Sequence, residues 1–221
     1  MRMCSIKDCN EKHRRNGYCN KHAYQMRRWG KIRIRSKNDL NEIIIENNVC
    51  RMKLYNIDSE EIAETLFDLK YKKYIEKYKW HLTNTGHVHC TWYDKNNKQQ
   101  SMLLHQAIVF LSGQEIPNGY EIDHEDLNSL NNLDNNLRIC TRAQNQSNKN
   151  LLANNVSGFK GVSFDNTHKK WRAQISVNNK NMYLGDFEDP IEAVKAYNVA
   201  AIKYQGQFCR INEINLETQS C

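Results

Sequence analysis

The sequence predicts an α+β fold divided among several small domains, and three observations carry that reading. Apolar and polar residues alternate through Val49-Cys50-Arg51-Met52-Lys53-Leu54-Tyr55 and Val88-His89-Cys90-Thr91-Trp92-Tyr93, the two-residue period of half-buried strands. Asp189-Pro190 with Glu192 opens a run in which Ala193, Ala196, Tyr197, Ala200, Ala201 and Tyr204 share one helical face. Charge is also unevenly placed. Residues 1–39 carry twelve Lys/Arg against three Asp/Glu, leaving twenty against twenty-two for the rest, so this segment alone exceeds the net charge of +7. A length of 221 residues permits one core or several, so the pattern decides.

Taken in order, residues 1–37 form a basic region bearing cysteine and histidine. Residues 38–100 hold strand candidates at Ile43-Ile44-Ile45, 49–55 and 88–93, with a short helix near Asp68–Lys77. Residues 101–150 begin with the apolar helix-like run Leu103–Leu111 and the turn Pro117-Asn118-Gly119. Two strands come next, Glu121-Ile122-Asp123-His124 and Leu137-Arg138-Ile139-Cys140, separated by an asparagine-rich loop. A helix over about 141–150 closes the segment, because Thr141 with Gln144 three residues later is a capping box. Leu151–Gly158 reads as a linker. Gly158–Gly185 reads as three strands with turns at Asp165–His168 and Asn178–Asn181, followed by the helix that Asp189 caps.

No apolar run approaches the roughly 18 residues of a membrane span, and Met1-Arg2-Met3-Cys4 leads into polar sequence with no leader-like stretch. A cytoplasmic protein is expected. Of the eight cysteines only Cys4, Cys9 and Cys19 cluster, which argues against a disulfide scaffold. A second basic stretch, Thr141–Tyr183, has seven Lys/Arg against Asp165 alone, and Glu115–Leu137 between the two holds six acids and no Lys or Arg. Basic flanks around an acidic centre suit polyanion grips around a metal site, while either flank alone reads as a solvated face. Asparagine is abundant throughout, so lone asparagines are not read as functional.

A strand ending in Asp123-His124 turns adjacent side chains to different sides of one edge. One can hold a divalent metal while the other takes a proton from water, the two tasks that phosphodiester hydrolysis near neutral pH requires. Asn145, one turn into the capped helix, can add a carbonyl oxygen, and Asp plus Asn oxygens suit Mg²⁺ or Mn²⁺. Asp123-His124, Asn136 twelve residues on, Leu137-Arg138 and Asn145 resemble the HNH endonucleases in their H-N-N form. That resemblance implies a ββα-metal core over 101–150, with His124 as general base, Asp123 and Asn145 on the metal, and Asn136 tying the loop and orienting the histidine. It extends to Asn148 and Lys149 as phosphate contacts, and to Leu104-His105 as the lead-in of phage and intron-encoded members. His87, His89 and His105 show no comparable constellation and are read as structural or surface residues.

Residues 157–213 resemble the APETALA/ethylene-response-factor DNA-binding domain through Gly161-Val162, Lys170-Trp171-Arg172-Ala173-Gln174-Ile175, Tyr183-Leu184-Gly185-Asp186-Phe187, Glu192-Ala193-Val194, Ala196-Tyr197, Ala200-Ala201 and Ile211-Asn212. The resemblance implies a three-stranded sheet on a helix, with Lys160, Lys170, Arg172 and Tyr183 facing DNA. Ser163, Ser176 and Asn181 stand where plant members carry arginine, and Tyr183 replaces a tryptophan, so the plant target sequence does not carry over.

Cys4, Cys9, Cys19 and His22 have the two-knuckle spacing of a structural zinc site, and a segment this short needs the metal to fold. Arg27, Arg28, Lys31, Arg33 and Arg35 form a basic arm for phosphates just beyond it. The combined expectation is a metal-dependent endonuclease of the homing type, acting on double-stranded DNA as a monomer in the bacterial host of a phage or mobile element. The alternative is a DNA-binding regulator with a catalytically silent nuclease fold, and RNA binding stands third.

Overall fold

The computed structural model describes residues 2–6, 9–32, 39–151, 155–177 and 180–214. The protein is a mixed α/β chain of small sheets and helices, and its central core begins with the alternating strands. β1 (Ile43–Glu46), β2 (Val49–Tyr55) and β3 (Glu61–Asp68) form an antiparallel sheet. The alternation in β2 turns Cys50, Met52 and Leu54 inward, and all three are fully buried. The helix expected at Asp68–Lys77 is shorter, a 3-10 turn at Leu69–Tyr71 continuing into α2 (Lys72–Ile75). Tyr71 and Ile75 are its only buried residues, so packing sustains little more than one turn on either side.

A second sheet joins β4 (Trp80–Leu82), β5 (Val88–Tyr93) and β6 (Gln99–Leu103), and α3 (Leu104–Leu111) continues from β6 without a break. One buried cluster runs from Cys50 through Trp80, Val88 and Cys90 to Leu104 and Ile108, with Leu130 and Leu137 packed against it. The boundary expected at residue 100 therefore falls inside β6, and residues 38–100 share a core with Leu104 and Ile108 of α3 instead of forming a separate unit.

β7 (Tyr120–His124) pairs antiparallel with β8 (Leu137–Thr141), setting Asp123 opposite Arg138 and His124 opposite Leu137. α4 (Arg142–Asn148) starts at the predicted capping box, where Thr141 Oγ1 accepts from Gln144 N at 3.3 Å and Gln144 Oε1 from Thr141 N at 2.8 Å.

The C-terminal sheet runs β11 (Lys180–Phe187), β10 (Lys170–Val177), β9 (Val162–Asp165), and α5 (Pro190–Gln205) covers one face. Asp189 caps α5, accepting from Ile191 N at 2.8 Å. Ala193, Ala200 and Ala201 let the helix lie close to Val162, Ala173 and Ile175. The expected turn at Asn178–Asn181 includes positions outside the described residues, as do Arg33 and Arg35 of the basic arm. In the amino-terminal segment α1 (Asn20–Trp29) carries Arg27 and Arg28 in its last turn, both exposed.

Candidate active site

β7 sends its last two side chains to opposite faces. Asp123 and His124 are both buried, at 4 % and 6 % exposure, so neither is an ordinary surface residue. On the Asp123 face, Arg138 Nη2 lies 2.5 Å from Asp123 Oδ2. Asn148 Nδ2 reaches both Asp123 oxygens at 3.1 and 3.0 Å and the His124 carbonyl at 2.9 Å. Asn148 thus faces inward and secures the carboxylate, a correction to its expected phosphate contact. Asn145 donates from Nδ2 to Glu121 Oε2 at 2.7 Å, which leaves its carbonyl oxygen as the atom it can present. Glu121 and Asp123 stand two residues apart on one face of β7, with Asn145 bonded to Glu121, and oxygens of this kind are the donors that hard divalent cations take.

On the other face, His124 Nε2 lies 3.2 Å from Asn132 Oδ1. The amide of Asn132 is oriented by its surroundings, because Nδ2 donates to Thr65 Oγ1 at 2.9 Å and to Ser129 O at 3.3 Å. Thr65 Oγ1 in turn gives its proton to Leu130 O at 2.8 Å. Its oxygen must therefore accept from Asn132, which leaves Asn132 Oδ1 to accept from His124. This network assigns the ring proton to Nε2 and the lone pair to Nδ1. Burial lowers the His124 pKa against the raising effect of Asn132, so the imidazole is neutral at pH 7.

Asn136, expected to orient the histidine, does the other half of its task. It accepts from Asp126 N at 3.0 Å and donates to Asp126 Oδ1 at 2.9 Å and Asn131 O at 2.7 Å, pinning the loop. The histidine contact belongs to Asn132, which spacing did not single out. The loop also docks on the upstream sheet. Leu66 N donates to Leu130 O at 2.8 Å, Asn132 N to Leu66 O at 2.9 Å, and Asp134 N to Asp68 Oδ2 at 2.8 Å. Ser129 Oγ donates to Gly86 O at 2.7 Å and Tyr71 OH to Asp134 at 2.8 Å. The segment upstream of α3 thus holds, through Leu66, Asp68, Tyr71 and Gly86, the loop that holds His124.

His105 and His87 also converge on His124, with ring centroids 5.2 and 6.1 Å from it and 5.4 Å from each other. Burial, with His124 and His87 adding to it, pushes the His105 pKa down to about 3. This corrects the reading of His87 and His105 as residues without a constellation, whereas His89 packs against His81 at 5.9 Å. Their sequence positions held no signal, since three separate elements bring the rings together.

In the amino-terminal segment Cys4, Cys9, Cys19 and His22 gather their ligand atoms within 4.8 Å of one another. Cys4 Sγ and Cys19 Sγ lie 3.2 and 3.5 Å from His22 Nδ1, and Cys9 and Cys19 are 3.9 Å apart. Burial raises the Cys4 thiol pKa, but hydrogen bonds from His22, Ile6 and Cys19 outweigh it and bring the pKa down to about 6.

Among the expected DNA-facing residues, Tyr183 is 61 % exposed. Arg172 sits over the Tyr183 ring at 5.9 Å and pairs with Asp165 and Asp186 at 2.8 and 3.0 Å. Lys170 pairs with Glu188 at 3.1 Å, and Lys31 with Glu60 at 2.9 Å. Lys149, at the end of α4, is exposed. Lys160 is the correction. Its ammonium donates to Ser147 O and to Lys149 O, satisfying carbonyls at the end of α4, and burial lowers its pKa to about 8. It ties the C-terminal domain to α4 and is not a free phosphate grip. An open cleft of about 980 Å³ lies between α4 and the C-terminal sheet, lined by Arg142, Gln144, Gln174, Ser176, Asn181 and Tyr204 among others.

A buried carboxylate and a buried neutral imidazole stand at one strand end, with an amide-bearing helix beside the carboxylate, groups of the kind that phosphodiester hydrolysis can use. Comparison with known proteins gives the family. The HNH endonuclease family matches residues 103–147, which span α3, β7, β8 and α4. Protein 3.8 of Escherichia phage T7 is 34% identical over 95 residues, covering 43% of this chain and 78% of that protein. An HNH endonuclease of Acanthamoeba polyphaga mimivirus is 29% identical over 141 residues, 64% of this chain and 70% of the relative. The chain belongs to the HNH endonucleases, metal-dependent hydrolases that cleave DNA. Over 53 residues the chain is 42% identical to an AP2-like ethylene-responsive transcription factor of Arabidopsis thaliana, AIL5, matching 23% of this chain and 10% of that protein.

Proposed function

We propose that the protein is a homing-type endonuclease that nicks double-stranded DNA at a specific site, using β7, β8 and α4 as a ββα-metal centre. The observation that carries this reading is the division of Asp123 and His124 between the two faces of β7, with Asn145 on the Asp123 side. Asp123 and Asn145 would hold Mg²⁺ or Mn²⁺, which when bound supplies positive charge to the phosphate and the leaving oxygen. His124 takes a proton from the attacking water at Nδ1, with Nε2–H fixed by Asn132. Water oxygen bonds to phosphorus as the bond to the leaving oxygen breaks. Burial keeps the base neutral, and Asn132, itself oriented by Thr65, fixes its ring.

The C-terminal domain, read as APETALA-like, serves DNA recognition, with Lys170, Arg172 and Tyr183 on its sheet and Lys149 beside it. Arg27, Arg28 and Lys31 add phosphate contacts from a zinc module held by Cys4, Cys9, Cys19 and His22. The ligand spacings support zinc, because a tetrahedral ion separates sulfur and nitrogen ligands by roughly 3.3–3.8 Å.

Incubation of supercoiled plasmid with Mg²⁺ or Mn²⁺, with cut positions mapped, tests the reading. Nicked circles from the wild type at recurring positions, and none from His124→Ala, are expected. Cleavage retained in His124→Ala removes His124 as base. Binding without cleavage by the wild type favours a DNA-binding regulator instead.

A further inference from the structure

We propose that His87, His105 and His124 form a second transition-metal site of the zinc class, on the opposite side of β7 from the oxygen donors. Their ligand nitrogens lie within 4.8 Å of one another. The three rings come from a turn before β5, the first turn of α3 and the end of β7, so the convergence is a tertiary feature and not a run of adjacent residues. His105 and His124 are nearly enclosed while His87 is only partly buried, which gives an ion a route in from solvent.

Two of the three rings have the kind of outer partner that metal-binding imidazoles use. A ligating histidine ordinarily holds its second ring nitrogen in a hydrogen bond, which fixes the ring and the tautomer. His124 does so with Asn132 at 3.2 Å, presenting Nδ1. His87 Nδ1 lies 3.4 Å from Thr85 Oγ1, which leaves Nε2 as the atom it offers. No carboxylate belongs to this group of ligand atoms among the described residues, so the set favours zinc over magnesium. Three imidazoles with an open fourth position are a common zinc arrangement.

The site has a consequence for activity that rests on His124 being the base. Zinc bound at Nδ1 takes the lone pair that would accept the proton of water, so zinc inhibits cleavage supported by Mg²⁺. The metal tested is zinc itself, on the full chain.

Protein stripped with chelator is titrated with Zn²⁺, and bound metal is measured for the wild type, His87→Ala and His87→Gln, with circular dichroism checking the fold. His87 is chosen because its partial exposure makes the substitutions tolerable. The wild type is expected to bind about one equivalent more than the cysteine cluster holds. Both variants weaken that additional equivalent by at least about 100-fold. With Co²⁺, the component that His87→Ala removes shows ligand-field absorption without a thiolate charge-transfer band. Unchanged zinc binding in both folded variants overturns the site.

Plasmid nicking in Mg²⁺ with and without added Zn²⁺ is then compared within each protein. Inhibition of the wild type that weakens in His87→Ala supports the link to the base. Zinc binding that depends on His87 without any inhibition leaves the metal site standing and removes His124 as the base.

Discussion

The loop between β7 and β8 and the C-terminal domain are fixed by different physical means. The loop packs Leu130 against the core, but it is held mainly by polar groups: asparagines, Thr65, Ser129 and Asp134 tie it through hydrogen bonds to β3, Tyr71, Gly86 and itself. The C-terminal domain is fixed by close approach, with alanines of α5 against Val162, Ala173 and Ile175, and Gly161 under the ring of Tyr197. Buried hydrogen bonds fix direction, which a proton acceptor needs, whereas small-residue packing fixes distance and leaves the sheet's outer face free. A lost partner in the first region misdirects His124, and a lost fit in the second lifts a helix from a sheet.

That difference is open to attack from both sides, beginning with the chemistry. His124→Ala should reduce cleavage by about 10²- to 10⁴-fold while DNA affinity and the unfolding profile stay near wild type, as a nicking assay beside a binding assay would show. Gly161→Ala should be the most damaging change to the C-terminal domain. A Cβ there would lie 2.1 Å from the Tyr197 ring and 2.6 Å from Gln174 O, and φ is +71°. Destabilisation of about 3 kcal/mol or more is expected from strain and overlap together, measured by denaturant unfolding. A neutral result would mean that distance is not what holds this domain.

Asn132→Ala should lower kcat by about 10- to 100-fold with little change in KM, because the histidine loses its second-nitrogen partner. Asn132→Asp restores an acceptor for Nε2–H and adds a negative charge, so it should move the acid limb of the pH–rate profile upward. A purely structural Asn132 would leave that limb where it was.

Acid titration of the metal-free protein should separate the two regions. His105, whose pKa is lowered from 6.5 to about 3 chiefly by burial, contributes stability that is complete above pH 6.5 and lost as pH falls toward 3. Asp165, held down to about 2 by His168, contributes stability that persists until pH drops below 3.8. Thermal unfolding across this range should therefore show the central region weakening first. The smallest effect is at the cap of α5, where Asp189→Ala should cost about 1 kcal/mol, read in the same unfolding experiment.

Local chemistry was legible in the sequence. The caps at Thr141 and Asp189, the alternation in β2 and the strand that ends in Asp123-His124 each depend on neighbours within a few residues or on a repeated pattern. What escaped depends on contacts between distant segments. Asn132 was one asparagine in a chain full of them, and only the docking of its loop on β3 sets it apart. His87 and His105 acquire their setting when β5, α3 and β7 meet. Lys160 looked like a phosphate contact until the end of α4 took its ammonium. Asn148 was placed on the correct helix, but its inward rotation comes from how α4 packs on β7.

Arg138 has a bearing on how such proteins can be rebuilt. The guanidinium that neutralises Asp123 also donates to Gln207 O at 2.7 Å and lies 4.7 Å from the Phe208 ring, in the 3-10 turn Gly206–Phe208 after α5. The cutting centre and the carboxyl-terminal module are therefore not interchangeable beads on a string. A chimera that exchanges the module for another reader must reproduce a carbonyl and an aromatic ring at this place, or it will leave a partly buried arginine without its outer support next to the buried carboxylate of Asp123.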